Sequence, residues 1–183
     1  MNIERLTQKS IAAIQGAQSL AQEYGNQQME QLHLLAALCG DDEGLIPQLL
    51  TAMGVETKNL IAAVGTQLDK LPKVSGSGRE AGKIYISQDV DKALSSAERV
   101  AESMKDEYTS VEHLFLGLLD QAAGPVKELF RSFEITKDRC MQALASVRGN
   151  QRVTSDNPED TYNALKKYGT DLVERARQNK LDP

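Results

Sequence analysis

Apolar and small residues recur in steps of three and four along two stretches of this chain. Leu6, Ser10, Ala13, Ile14, Ala17, Leu20, Ala21 and Tyr24 form one stripe; Val90, Ala93, Leu94, Ala97, Val100, Ala101 and Met104 form the other. That spacing is the period of an amphipathic helix, with one face hidden and the other wet. Each stripe is followed by a segment apolar nearly all round, opening at His33 in one case and His113 in the other, which reads as a central buried helix. Short third helices are expected over Leu45, Ile46, Leu49, Leu50 and Met53, and over Val126, Leu129, Phe130 and Phe133. Fourth helices carry Leu60, Ile61, Val64, Leu68 and Leu71, echoed by Cys140, Met141, Leu144 and Val147. Gly54 suits the end of the third helix, because glycine adopts the left-handed conformation at little cost. Helices this short are marginal alone, so each must bury its stripe against the others.

The two sets are copies. Sliding the chain over itself by 80 positions aligns residues 7–68 with 87–148 without a gap, matching Gln8 with Gln88, Ala17 with Ala97, His33 with His113 and Leu49 with Leu129. A tandem duplication predicts an all-α fold: two four-helix repeats, 7–68 and 87–148, forming a pseudo-twofold eight-helix domain over 1–148. Residues 72–86 read as a flexible linker, with Ile84, Tyr85 and Ile86 as a short extended piece before a Ser87 cap. Thr109 and Glu112 have the capping-box spacing ahead of the second His helix, whereas Met29-Glu30-Gln31-Leu32 has lost it. Residues 149–160 are polar and aperiodic and read as a second flexible linker. A final helix is expected over 161–179, and Leu181, Asp182 and Pro183 read as a break in a longer protein.

Composition narrows the class. Aromatics make up 4% with no Trp, so the core must be Leu, Ile, Val, Ala and Met, which suits packed helices. A net charge of -5 argues against a nucleic-acid binder, which would need a basic face. Cys39 and Cys140 do not occupy equivalent repeat positions and read as small buried hydrophobes, with a reducing compartment favoured. The N-terminal residues lack the apolar stretch of a secretion signal, and the longest apolar run, Leu34 to Cys39, is too short to span a bilayer. A cytoplasmic, membrane-free protein is expected.

Reactive chemistry is not evident. Residues 77–84 superficially resemble a phosphate-binding loop, but Ser77 stands where a glycine is needed and Ile84 where a magnesium-binding hydroxyl is needed. The two histidines, at equivalent positions and without partners at ligand spacing, suggest a shared structural role and no metal site. The chain is expected not to be an enzyme. A duplicated bundle does offer a seam between its halves, where apolar residues either form a shallow groove for an extended segment or belong to the core.

The paired repeats, the stretch Thr109-Ser110-Val111-Glu112-His113-Leu114 and the linker Leu71-Pro72-Lys73-Val74-Ser75-Gly76-Ser77-Gly78 resemble the N-terminal domain of ClpB-type AAA+ disaggregase chaperones. Residues 161–183 are similar to the start of the first ATPase domain of that family. The resemblance implies a domain that engages unfolded or aggregated polypeptides. It places the domain in a homohexameric parent that binds ATP and magnesium, threads clients and works with the DnaK system. No nucleotide or metal site is implied within this chain, which is expected to be a monomer. Polar client-binding positions carry over to Thr7, Asp106 and Glu112, with Leu94, Val100 and Leu114 as apolar candidates. A groove exposing about 400 Å² of apolar surface offers roughly 10 kcal/mol on burial, most of it offset by association costs of about 4–15 kcal/mol, so micromolar or weaker binding is expected. Six copies on a ring would recover strength. The alternative within the same fold is the adaptor-binding domain of a degradative ClpC or ClpA unfoldase; an oligomerisation module is a third reading.

Overall fold

Each repeat begins where a hydroxyl can take a free backbone N–H. The Ser10 amide donates to Thr7 Oγ1 at 3.1 Å, and the Val90 amide donates to Ser87 Oγ at 3.2 Å. These caps start α1 (Gln8–Glu23) and α5 (Gln88–Ser103). The computed structural model describes residues 2–74, 84–149 and 151–159, and the helix expected over 161–179 lies outside them. Within the described residues the first repeat continues with α2 (Gln31–Cys39), α3 (Leu45–Ala52) and α4 (Thr57–Asp69), and the second with α6 (Val111–Asp120), α7 (Gly124–Ser132) and α8 (Lys137–Arg148). The fold class is the all-α duplicated bundle that the periodicity predicts.

The cap of the His helices differs from expectation. The N-cap of α6 is Ser110, one residue later than Thr109, and its partner three residues on is His113. The Ser110 amide donates to His113 Nδ1 at 2.9 Å, and in the first repeat the Glu30 amide donates to His33 Nδ1 at 2.8 Å. The first repeat therefore keeps its box; an imidazole does the work reserved for a Glu or Gln side chain. Because Nδ1 accepts, Nε2 carries the proton in each ring and donates: to Asn26 Oδ1 in one repeat and to Asp106 Oδ2 in the other, both at 2.8 Å. Asn26 and Asp106 are themselves equivalent under the 80-residue shift.

The halves are joined by a reciprocal exchange of backbone. β1 (Gln28–Met29), just before α2, pairs in parallel with β2 (Tyr85–Ile86), just before α5. Its counterpart is the parallel bridge of Leu6 with Thr109. The Ser87 amide donates to Met29 O and the Thr7 amide to Thr109 O, each at 3.0 Å. Helix packing repeats the exchange: α3 lies on α8 across the seam and α7 on α4, with α2 against α6 at the centre. Gln31 locks one side of the seam by donating to Asp89 O and Gln121 O and accepting from the Ala123 amide, at 2.8 to 3.0 Å. One apolar core runs through both repeats, and Cys39 and Cys140 are free thiols inside it whose burial pushes each up to about 12.

Two backbone features distinguish the copies. α5 approaches α6 so closely that a Cβ at Gly117 would sit 2.3 Å from Ala93 O. The first repeat has Ala37 there, and its methyl holds α1 away from α2. After the third helix the chain turns left-handed, at Gly54 with φ 76° in the first repeat and at Glu134 with φ 55° in the second.

Gly117→Ala is expected to lower unfolding stability by about 1–3 kcal/mol, since backbone must yield to the methyl. Glu134→Gly is expected to raise it by roughly 1 kcal/mol by removing the left-handed penalty. Chemical denaturation midpoints read both.

Candidate functional site

The two copies differ most between their first and second helices. In the second repeat Leu116 fills that space, fully buried, and Ser96 Oγ donates to Asp120 Oδ2 at 2.7 Å to close its edge. The equivalent residues in the first repeat are Ala36, Gly16 and Gly40, which have nothing to reach across with. A cavity of about 640 Å³ is left there, open to solvent and walled by α1, α2 and α4. Ala12, Ala13, Gly16, Ala36 and Ala37 form its floor, Leu20 and Ile61 its apolar sides, and Lys9 and Asp41 are among its lining residues. Ile61 is one of the large apolar side chains the domain leaves exposed. Gaps of this kind bury apolar chain segments, because small floor residues allow close backbone approach while the walls supply apolar area.

The seam is not the open furrow expected of it. Among the described residues it carries a dent of about 80 Å³, between Gln31 and Pro125. Of the six candidate client-binding residues, Thr7, Leu94, Asp106, Glu112 and Leu114 are buried, and Val100 is partly buried against the core. Leu94 and Leu114 pack inside the apolar cluster, as the periodicity of their helices dictates. Thr7, Asp106 and Glu112 come together in a buried polar network and do not reach the surface.

That network is covered by residues 151–159, the stretch expected to be a flexible linker. It turns back after α8 and crosses from the second repeat to the first. Val153 is fully buried; its amide donates to Asp106 Oδ1 at 2.9 Å, and its carbonyl accepts from the Glu107 amide at 2.8 Å. The Gln8 amide donates to Asp156 O at 2.8 Å at the start of α1. Glu159, buried, accepts from the Thr7 hydroxyl at 2.7 Å and from the Val111 amide at 3.4 Å. One apolar side chain in a polar run was the signal that could have revealed this docking.

The electrostatics beneath the strap are uneven. Burial alone would raise Asp106, but hydrogen bonds from His113, Arg148 and the Val153 amide outweigh it and hold the carboxyl at about 2. Arg148 pairs with Asp106 and lies 3.6 Å from Glu112 Oε2. Burial pushes Glu159 up to about 7, the Thr7 hydroxyl opposing and the charge of Glu112 adding to the rise. Burial likewise lowers His33 to about 4, so this ring stays neutral in its cap. Among the described residues no group of His, Cys, Asp and Glu is arranged to hold a metal ion, and no helix is long and apolar enough to cross a membrane.

The family model of the Clp repeat (R) N-terminal domain matches residues 5–133. Chaperone protein ClpB of Nitratidesulfovibrio vulgaris is 44% identical over all of this chain, and that of Bacillus anthracis 43%, each covered over 21% of its own length. The chain thus spans about a fifth of the ClpB relatives it matches. The Hsp104 N-terminal domain from Candida albicans superposes with a TM-score of 0.72 at 25% identity, over 84% of this chain and 98% of that one. The N-domain of ClpV in its complex with a VipB peptide gives 0.60 at 18% identity, over 86% and 91%.

Docking of 151–159 favours the protonated Glu159 carboxyl, so it is strongest below about pH 4.5 and weakens as pH rises through about 7. Glu159→Gln removes that titration. At about pH 8 its strap is expected to survive limited proteolysis several-fold longer than the parent's, the two converging near about pH 5. Equal survival at the higher pH counts against it.

Proposed function

The chain belongs to the Clp repeat (R) N-terminal domain family, and we propose from that membership that it is the polypeptide-binding domain of a ClpB-type chaperone. The observation that supports this reading is the open apolar groove of the first repeat. It is walled by three helices and floored with alanine and glycine, and no side chain among the described residues fills it. Such a groove selects for apolar content and not for a sequence, which suits clients that have lost their fold. The ClpV N-domain solved with a VipB peptide has the same fold and holds a peptide.

The parent is an ATP- and magnesium-dependent homohexamer of the cytoplasm that disaggregates clients by threading, in cooperation with the DnaK system. The nucleotide sites belong to domains outside this chain, and the groove does the capturing. Binding is weak, because association and ordering offset most of what the small apolar contact contributes. Weakness serves the role, since a captured segment must be surrendered to a motor. Thr7, Asp106 and Glu112 support capture from beneath the strap, and Leu94, Val100 and Leu114 by packing α5 and α6, which bear on α2 of the groove. The reading of an adaptor-binding domain of a ClpC or ClpA unfoldase is not favoured, because ClpB relatives match the whole chain.

Ala36→Leu places in the first repeat the side chain that closes the second. It is expected to weaken binding of a permanently unfolded, reduced and alkylated protein tenfold or more, with the helical circular dichroism unchanged. Fluorescence anisotropy of the labelled client reads the affinity. Undiminished binding by a folded A36L variant would remove the groove from the mechanism.

A further inference from the structure

The groove and the strap meet at Glu159. Its carboxylate and Val111 wall one end of the groove. Its Oε2 is buried and has no hydrogen-bond partner among the described residues, and beneath it Glu112 Oε2 and Arg148 Nη1 meet only as an ion pair at 3.6 Å. The end wall therefore rests on polar groups it satisfies only in part. The opposite side of the seam contrasts with it, since both polar atoms of the Gln31 side chain are used there.

We propose that residues 151–159 are a releasable end wall whose place is taken by client polypeptide. Docked, they stop the groove at Glu159. Lifted, they open it into the seam and bare a track running from Asp106 and Glu107 past Thr7 and Gln8 to Val111. The proposal rests on the groove reading above and adds how that site is regulated.

The chemistry of the track identifies its occupant. Beside the side-chain bonds of Asp156 and Glu159, the strap is held through its main chain: the Glu107 amide donates to Val153 O, Asp106 Oδ1 accepts from the Val153 amide, and the Gln8 amide donates to Asp156 O. Any extended peptide offers the same carbonyls and amides, whatever its sequence. The Val153 side chain is fully buried, in a place that a Val, Ile or Leu of a client could take. The occupant is thus an extended, apolar-containing stretch of polypeptide, continuous with the segment lying in the groove. The strap is a tethered stand-in for it, and tethering makes the stand-in win until a client brings the groove contacts as well.

Amide hydrogen exchange on the full chain, with reduced and carboxymethylated lactalbumin as the probe, tests this. At saturation, confirmed by anisotropy, the Val153 amide should exchange at least fivefold faster. The Gln8 and Glu107 amides should stay slow, because client carbonyls replace those of the strap. In Val153→Asp all three should exchange quickly without client, Gln8 and Glu107 should slow on adding it, and affinity should rise threefold or more. A Val153 amide still protected at saturation, or a folded V153D variant that binds no more tightly than the parent, overturns the proposal. The first measurement uses the unaltered chain, so it decides even where V153D fails to fold. The A36L variant separates the two readings. If A36L loses binding while Val153 of the unaltered chain stays protected at saturation, the groove stands and the strap falls; if A36L binds normally while V153D gains, the track stands without the groove.

Discussion

Everything in this domain depends on the two copies exchanging backbone. Residues just before α1 pair with the stretch before α6, and residues just before α5 pair with the stretch before α2. Neither repeat could bury its central helix alone, since α2 and α6 are apolar nearly all round and each needs the other half as a wall. The exchange fixes the register of the halves, and that register sets α3 on α8 and α7 on α4. With the halves packed in this way, the candidate residues Leu94 and Leu114 lie in the core instead of along an apolar furrow. Surface free for other work has to come from places where one copy departs from the other.

Most aligned positions differ, but the departures that shape the surface can be named. Leu116 against Ala36, Ser96 against Gly16 and Asp120 against Gly40 close one inter-helix space and open its twin. Arg148 stands against Leu68 and Asp106 against Asn26, so one corner is charged and the other neutral. The neutral corner holds the returning chain lightly: Asn26 Nδ2 donates to Pro72 O at 3.1 Å, and the Val74 amide to Gly25 O at 2.7 Å. The charged corner binds the strap through Asp106. Duplication supplied the scaffold, and divergence between the copies made the two halves unlike at these places.

Periodicity and self-alignment were enough to place the eight helices, the Ser87 cap, the turn at Gly54 and the extended piece at Tyr85 and Ile86, because all of these are local or repeated. The partner of that piece was not legible, since strand pairing between distant segments leaves no trace in a single stripe pattern. The His caps were missed because an imidazole at the third helical position looks like a core residue until its Nδ1 is seen accepting. Thr7, Asp106 and Glu112 were expected at a surface, and burial at the seam was invisible without the fold. The groove could have been found: the shift by 80 sets Ala36 beside Leu116, and a missing side chain at a packed position is a hole. Val153 and Glu159 were hidden in a run whose polarity reads as solvent.

The strap leaves the second repeat at α8 and finishes against the first, so its attachments are strung out in order along the chain. A pull applied beyond residue 159 would load them one after another, Glu159 first, then Asp156, then Val153, as tape lifts from a surface. Peeling needs far less force than shearing the same bonds together. Tension along the chain would therefore spend itself on single contacts, one at a time.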